Sequence, residues 1–259
     1  MALLHNVKGR ILRFRVDHDT DRWSSEPLPL PANGTVSVSA ANPYSSTVLV
    51  NYEDHITPDR LSEYDAGANA LTLLKSLPPR FRSDELQVRQ HMTKSADGEA
   101  VPYFVIHRKG LKLDGSTPTI LYGYGGFEIS LKPSYSATIG KLWLERGGAY
   151  AVANIRGGGE FGPRWHKAAL KTNRQRAYDD FIAVAEDLVR RGITSPKRLG
   201  ISGGSNGGLL VGAIFTQRPE LMNAVVCRVP LLDMLRYTKL LAGASWAAEY
   251  GDPGDPKMR

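Results

Sequence analysis

The 259-residue chain lacks several features that would assign it to a class directly. It has one cysteine, Cys227, so no internal disulfide can form and nothing in the sequence requires an oxidising compartment. No apolar run approaches the roughly 18 residues that a membrane span needs, and the N-terminus has no charged start followed by an apolar core. We therefore expect a protein of the cytoplasm that has no membrane partner. A periplasmic location stays open if a leader precedes these residues.

Long runs of like charge are also missing. The formal net charge is +7, but the lysines and arginines are scattered along the chain. A solvated surface explains this pattern better than a nucleic-acid interface does. The sequence therefore predicts no nucleic-acid partner.

Residues 1–79 predict antiparallel β structure. Short segments alternate apolar and polar side chains, which is typical of strands with one buried face; they are residues 12–16, 36–38, 48–52 and 71–74. The lone histidines His5, His18 and His55 are interpreted as surface or strand residues. Pro78 and Pro79 prevent a helix or a central strand from continuing, so we expect domains at residues 1–79 and 80–259.

Beyond residue 80 the pattern becomes one of alternating strands and helices. A hairpin is predicted over residues 86–92 and 101–107, with Asp97 and Gly98 in its turn. Apolar strands follow, bounded by turn residues, at 119–122, 149–153, 199–201 and 224–229. This alternation predicts a mostly parallel sheet covered by helices.

One helix is predicted with particular clarity, over residues 177–191. Apolar side chains recur at helical spacing along one face; they are Phe181, Val184, Ala185 and Leu188. Asp179 and Asp180 are expected in the first turn, where they would complement the helix dipole. Gly192 is expected to end the helix.

The most informative stretch is the turn around Ser205. Gly203-x-Ser205-x-Gly207 follows a short apolar strand and precedes a helical pattern. It matches a nucleophile elbow, in which a strained turn holds a serine hydroxyl above the end of a sheet. The alternative is a glycine-rich turn whose serine caps the following helix.

Four blocks together resemble the prolyl oligopeptidase family of serine peptidases. They are Leu121-Tyr-Gly-Tyr-Gly-Gly-Phe127, Ala151-Val-Ala-Asn-Ile-Arg-Gly-Gly-Gly-Glu-Phe-Gly162, Thr194-Ser-Pro-Lys-Arg-Leu199 and Gly203-Gly-Ser-Asn-Gly-Gly208. The resemblance implies an α/β fold: an incomplete α/β-hydrolase, with a mostly parallel sheet and a nucleophile elbow. Antiparallel strands of a partial β-propeller would precede it.

The resemblance also implies roles for residues at the elbow. Ser205 would be the catalytic nucleophile. The oxyanion would be stabilised by the backbone N–H of Asn206 and the hydroxyl of Tyr124. The elbow glycines would be Gly203, Gly204, Gly207 and Gly208.

A specificity pocket for proline is implied by the same resemblance. Its aromatic and aliphatic lining would be Phe127, Trp246, Tyr250 and Leu231. The family implies cleavage of short proline-containing peptides on the carboxyl side of proline, with no cofactor and no metal. The full-length parent is expected to be a monomer.

The sequence departs from a complete triad. All six histidines precede Ser205, whereas the family's acid and histidine follow the nucleophile. The aspartates after Ser205 come too early to match that acid; they are Asp233, Asp252 and Asp255. We therefore expect an internal piece of a longer chain, truncated before the triad acid and histidine. Alone it would have negligible peptidase activity, and its unpaired sheet edges would make it poorly soluble.

The loop that begins at Arg156 and the residues Glu160 and His166 are given structural interpretations, and other functions are also compatible with the sequence. Glu160 and His166 are given no catalytic role, although His166 is the one candidate for a rewired base. Arg156 and the three glycines after it are interpreted as a βα connection and not as a phosphate site. The alternatives are a non-catalytic or pseudo-enzyme fragment that acts as a binding module or, within the class, an oligopeptidase that prefers basic residues or another S9-type peptidase.

Overall fold

The computed structural model describes residues 1–258. The chain divides into two compact units. The first comprises Met1–Val88 with Lys132–Lys141, and the second comprises Arg89–Leu131 with the described residues from Leu142 onward. The domain boundary at residue 79 stays a prediction.

The first unit contains two antiparallel sheets, as its alternating segments predict. One has the order β1-β2-β3 and the other the order β4-β5-β6-β7. The strands are β1 (Ala2–His5), β2 (Lys8–Asp17), β3 (Arg22–Pro27), β4 (Thr35–Ala41), β5 (Thr47–Glu53), β6 (Arg60–Asp65) and β7 (Ala70–Ser76). Its core forms around Ile11, Leu28, Val50 and Tyr64. Strand β3 escapes prediction because its residues are mostly polar and mostly exposed, so it shows no alternation.

His55 corrects the expectation of a surface or strand position. It lies in a bend after β5 and is only 8% exposed. Burial lowers the pKa of its imidazole to about 4, although the charge of Asp54 raises this pKa in part. The neutral ring is therefore part of the folded first unit.

We expect His55 to make stability depend on pH. The pKa of His55 is lower in the folded state than in the unfolded chain. As pH falls from about 6.5 to 4, the unfolded chain therefore binds one more proton than the folded protein does. The free energy of unfolding falls over that pH interval, by at most about 3 kcal/mol. Urea unfolding of wild type and His55→Gln at pH 7.5 and 5.0 measures this. The variant should lose less stability on acidification, and an equal loss in both proteins would contradict the assignment.

The second unit is built on a six-stranded sheet of order β13-β12-β10-β11-β9-β8. Its strands are β8 (Leu86–Lys94), which begins in the first unit, β9 (Ala100–Arg108), β10 (Thr119–Tyr122), β11 (Ala149–Ala153), β12 (Leu199–Gly204) and β13 (Ala224–Arg228). Neighbours from β13 to β11 are parallel, and β9 is antiparallel to β11. This confirms the predicted mostly parallel sheet and the hairpin that enters it.

Five α-helices occur within residues 1–258. They are α1 (Ala137–Leu142), α2 (Pro163–Lys167), α3 (Gln175–Arg190), α4 (Asn206–Gln217) and α5 (Ala247–Tyr250). The apolar side chains predicted for one face of α3 are buried in the core of the second unit, beside strand residues such as Leu121 and Ile201. Gly192 follows α3 with φ of 69°, as expected for a residue that ends a helix.

The expected dipole role of Asp179 and Asp180 is wrong. Helix α3 begins at Gln175, so neither aspartate lies in its first turn. Asp180 is fully buried and accepts hydrogen bonds from the backbone N–H and the guanidinium of Arg156. Asp180 therefore connects α3 to the loop after β11 through its bonds with Arg156.

Strand β13 lies at one edge of the six-stranded sheet and exposes Val225 and Val226. Cys227 on the same strand is free, partly buried, and packs against the core of the second unit. Poor solubility stays a prediction for which this exposed edge gives a physical reason. Over residues 1–258, no helix has the length and apolarity needed to cross a bilayer.

Candidate active site

Ser205 forms the corner between strand β12 and helix α4. Its backbone has φ of 57° and ψ of −120°, a region that non-glycine residues rarely occupy. The residue is exposed, and its side chain makes no capping hydrogen bond to the helix. The alternative that this serine serves as a helix cap is therefore wrong, and its hydroxyl is held outward by the turn.

Close packing explains three of the four predicted elbow glycines. A Cβ atom on Gly203 would lie 2.0 Å from the Gly207 carbonyl oxygen. On Gly207 it would lie 2.7 Å from the Gly123 carbonyl oxygen, and on Gly208 it would lie 2.7 Å from that of Arg228. Gly204 differs, because its nearest neighbour would be 3.7 Å away. The corner therefore needs glycine at 203, 207 and 208 but has space for a methyl group at 204.

Tyr124 brings a hydroxyl to Ser205 from the loop after β10. The Ser205 hydroxyl lies close enough to the Tyr124 phenol to lower its pKa. Burial raises the pKa of the Tyr124 phenol, and the nearby Ser205 hydroxyl offsets part of that rise because it favours the phenolate. The side-chain amide of Asn206 donates to the Tyr124 carbonyl oxygen. The structure thus brings Ser205, Tyr124 and Asn206 together.

The four residues predicted to line a pocket also come together. Phe127, Leu231 and Trp246 are partly buried against Tyr250, in a cluster that includes Leu209, Tyr237 and Met234. The Phe127 and Tyr250 rings meet edge to face, with centroids 5.7 Å apart. Tyr237 and Met234 were missed by sequence reasoning because no local pattern connects them to this cluster.

A polar layer adjoins the aromatic cluster. The Oδ1 atom of Asn206 accepts hydrogen bonds from the Tyr250 hydroxyl at 2.7 Å and from Arg174 Nη2 at 3.2 Å. Arg174 also donates to the Gly125 carbonyl at 2.7 Å and lies over the Tyr250 ring, 4.9 Å from its centroid. Nothing in the sequence around Arg174 indicated this role, since its partners are distant along the chain.

Glu249 completes that layer. Its Oε1 atom accepts from Arg174 Nη2 at 2.8 Å and from the Phe127 backbone N–H at 3.0 Å. Its Oε2 atom lies 2.8 Å from His166 Nε2. His166 is therefore bound to a buried carboxylate. Among residues 1–258, no histidine forms a hydrogen bond with the Ser205 hydroxyl.

The Arg156 and Glu160 side chains hold loops in place. Arg156 is 3% exposed and is paired with Asp180 and Asp97, which leaves its guanidinium occupied. Glu160 accepts from the Leu131 N–H and the Asn154 amide, and burial raises the pKa of its carboxyl. Within the described part of the chain, no cluster of three histidine, cysteine or acidic residues could hold a metal ion.

Comparison with known proteins places this geometry in a family. The sheet with its serine corner belongs to the α/β-hydrolase class, and a sequence profile of the Prolyl oligopeptidase family matches residues 133–259. An uncharacterized peptidase of Sinorhizobium fredii is 54% identical over 256 residues. The prolyl endopeptidase of Elizabethkingia meningoseptica is 41% identical over 230 residues, which cover 89% of this chain and 32% of that protein.

Solved structures agree with the sequence comparisons. A post-proline cleaving enzyme from Rickettsia typhi superposes with a TM-score of 0.85 at 41% identity, covering 99% of this chain and 37% of that one. The chain belongs to the prolyl oligopeptidase family, whose members are serine peptidases with a propeller and an α/β-hydrolase domain. The match to the Sinorhizobium relative covers 99% of this chain and 35% of that protein.

The elbow packing predicts opposite outcomes for two neighbouring substitutions. Gly203→Ala should lower the free energy of unfolding by about 1–3 kcal/mol, because its methyl group collides with a backbone oxygen. Gly204→Ala should change it by no more than about 0.5 kcal/mol. Urea unfolding monitored by tryptophan fluorescence measures both. Equal destabilisation by the two variants would contradict the packing described here.

Proposed function

We propose that Ser205 is the nucleophile of a serine peptidase that cleaves short peptides on the carboxyl side of proline. The observation that carries the proposal is the strained, exposed Ser205 corner beside the Tyr124 hydroxyl and the start of α4. Family membership and the prolyl endopeptidases among the relatives support it. Because the chain spans about a third of those relatives, the activity is proposed for the protein as a whole.

The geometry suits acyl transfer. The Ser205 oxygen would attack the carbonyl carbon of the proline residue while a general base takes the hydroxyl proton. The resulting oxyanion would accept hydrogen bonds from the Asn206 backbone N–H and the Tyr124 hydroxyl. Its collapse would expel the amine of the departing peptide, which takes up the proton, and water would then hydrolyse the ester on Ser205. The Tyr124 phenol, whose ordinary pKa of 10.0 is raised further by burial, is protonated at neutral pH, as a hydrogen-bond donor must be.

The cluster near the elbow favours proline over a basic side chain. Phe127, Trp246, Tyr250 and Leu231 offer aromatic and aliphatic surfaces to a rigid apolar ring. The nearby carboxylate of Glu249 is buried and paired with Arg174 and His166. It is therefore engaged within the protein and poorly suited to receive the charge of a lysine or arginine substrate.

A second function, peptide binding without turnover, is favoured by one observation. Within residues 1–258 the Ser205 side chain has no histidine as a hydrogen-bond partner, and His166 is engaged by Glu249. We therefore propose that these 259 residues on their own bind proline peptides but hydrolyse them negligibly. A cytoplasmic location and a monomeric full-length protein stay predictions.

The proposal is tested by peptide binding. N-acetyl-Gly-Pro should bind the 259-residue chain about tenfold more tightly than N-acetyl-Gly-Ala, because the proline ring fills an apolar site. Isothermal titration calorimetry measures both affinities. Trp246→Ala should abolish the preference, whereas Trp23→Ala, which removes an exposed tryptophan of the first unit, should leave it unchanged. Equal affinities for the two peptides would contradict the proposed pocket.

Turnover is tested with Gly-Pro-p-nitroanilide, for which release of nitroaniline by the 259-residue chain should equal that by Ser205→Ala. Release that depends on Ser205 would show that these residues supply a base of their own. It would overturn the binding-only interpretation and support the peptidase function.

A further inference from the structure

We propose that Glu249 is a positioning residue that fixes one wall of the pocket and orients the residue next to Ser205. The identity of the ligand in that pocket rests on the function proposed above. Glu249 lies on the short helix α5, directly before the pocket residue Tyr250. Its contacts are to Phe127, Arg174 and His166.

The Glu249 carboxylate is buried in a way that requires partners. The residue is 4% exposed, and an unpaired carboxylate at such a position is strongly unfavourable. Its three partners come from three segments that are separate in sequence: the loop after β10, helix α2 and the turn before α3. One side chain therefore links all three segments to helix α5.

The first link restrains a strained corner. Phe127 and Glu128 have φ of 55° and 56°, and consecutive non-glycine residues rarely adopt this left-handed conformation. The Phe127 N–H donates to Glu249 Oε1, and a hydrogen bond to a carboxylate is stronger than one to a neutral carbonyl. The other backbone bonds at this corner go to neutral acceptors, from Glu128 to Gly157 and from Ile129 to Gly126. Glu249 thus provides the charge-assisted restraint on the corner that carries the Phe127 ring.

The second link runs through Arg174 to the elbow. Glu249 neutralises a guanidinium that donates to Asn206 Oδ1 and stacks over Tyr250. The Tyr250 hydroxyl binds the same Asn206 oxygen. Because Asn206 directly follows Ser205, the carboxylate acts on the elbow through Arg174 while forming no hydrogen bond with Ser205 itself. Glu249 is therefore a positioning residue and not a catalytic one.

The test compares wild type with Glu249→Gln, which keeps the shape and removes the charge. In hydrogen–deuterium exchange with mass spectrometry, residues 125–131 should exchange about tenfold faster, as expected on losing a hydrogen bond to a charged group. Strand β9 (Ala100–Arg108) should be unchanged. The ratio of affinities for N-acetyl-Gly-Pro and N-acetyl-Gly-Ala should fall toward one. A purely structural loss would instead accelerate exchange in both segments and weaken both peptides alike, and would overturn the proposal.

Two further variants keep the test decisive. Glu186→Gln also breaks a glutamate–arginine pair, with Arg218 at 2.9 Å, but on the exposed surface, so exchange and discrimination should match wild type. The double variant Arg174→Gln/Glu249→Gln leaves neither buried charge unpaired, and it should still exchange faster at residues 125–131. Wild-type exchange at this segment in both Glu249 variants would overturn the proposal. If wild type itself does not discriminate between the peptides, the proposed function fails, and the exchange result still decides the positioning claim.

Discussion

The contact between Gly203 and Gly207 is the constraint on which the site depends. With no side chain at position 203, the end of β12 approaches the first turn of α4 so closely that a methyl group would lie 2.0 Å from a carbonyl oxygen. The chain must turn within one residue between strand and helix, which forces Ser205 into a left-handed conformation and turns it outward. Exposure of the hydroxyl, its meeting with Tyr124 and the position of Asn206 all follow from that corner.

Ion pairs formed by the buried arginines Arg156 and Arg174 hold loops of the second unit in place. Arg156 joins Asp180 on α3 to Asp97 in the turn after β8, and Arg174 joins Glu249 to Asn206. Such pairs add little net stability compared with apolar packing, but breaking one leaves a buried charge without a partner. They are therefore better understood as restraints that select one loop arrangement. This explains how strained residues such as Phe127 can persist next to the elbow.

Local patterns predicted the elements but not the connections between them. Strands β10 and β11, the core face of α3 and the elbow were all found because apolar periodicity and glycine spacing are local properties. The burial of His55 and the role of Asp180 were missed, since each depends on residues far away in sequence. Resemblance to a family suggested the pocket residues, whereas Arg174 and Glu249 emerged only from their contacts. Charged residues in particular give no sequence signal that separates a solvated side chain from a buried one.

The central claim is that the elbow holds the Ser205 hydroxyl against the Tyr124 phenol. A Ser205 hydroxyl beside the phenol favours the phenolate, so it lowers the pKa of Tyr124 from the higher value that burial alone would give. Tyrosine labelled with carbon-13 at Cζ allows each ring to be titrated by NMR, and Tyr124→Phe assigns the signal. The pKa of Tyr124 should be higher in Ser205→Ala than in wild type. The same pKa in both proteins would show that the two side chains do not meet, and would contradict the account.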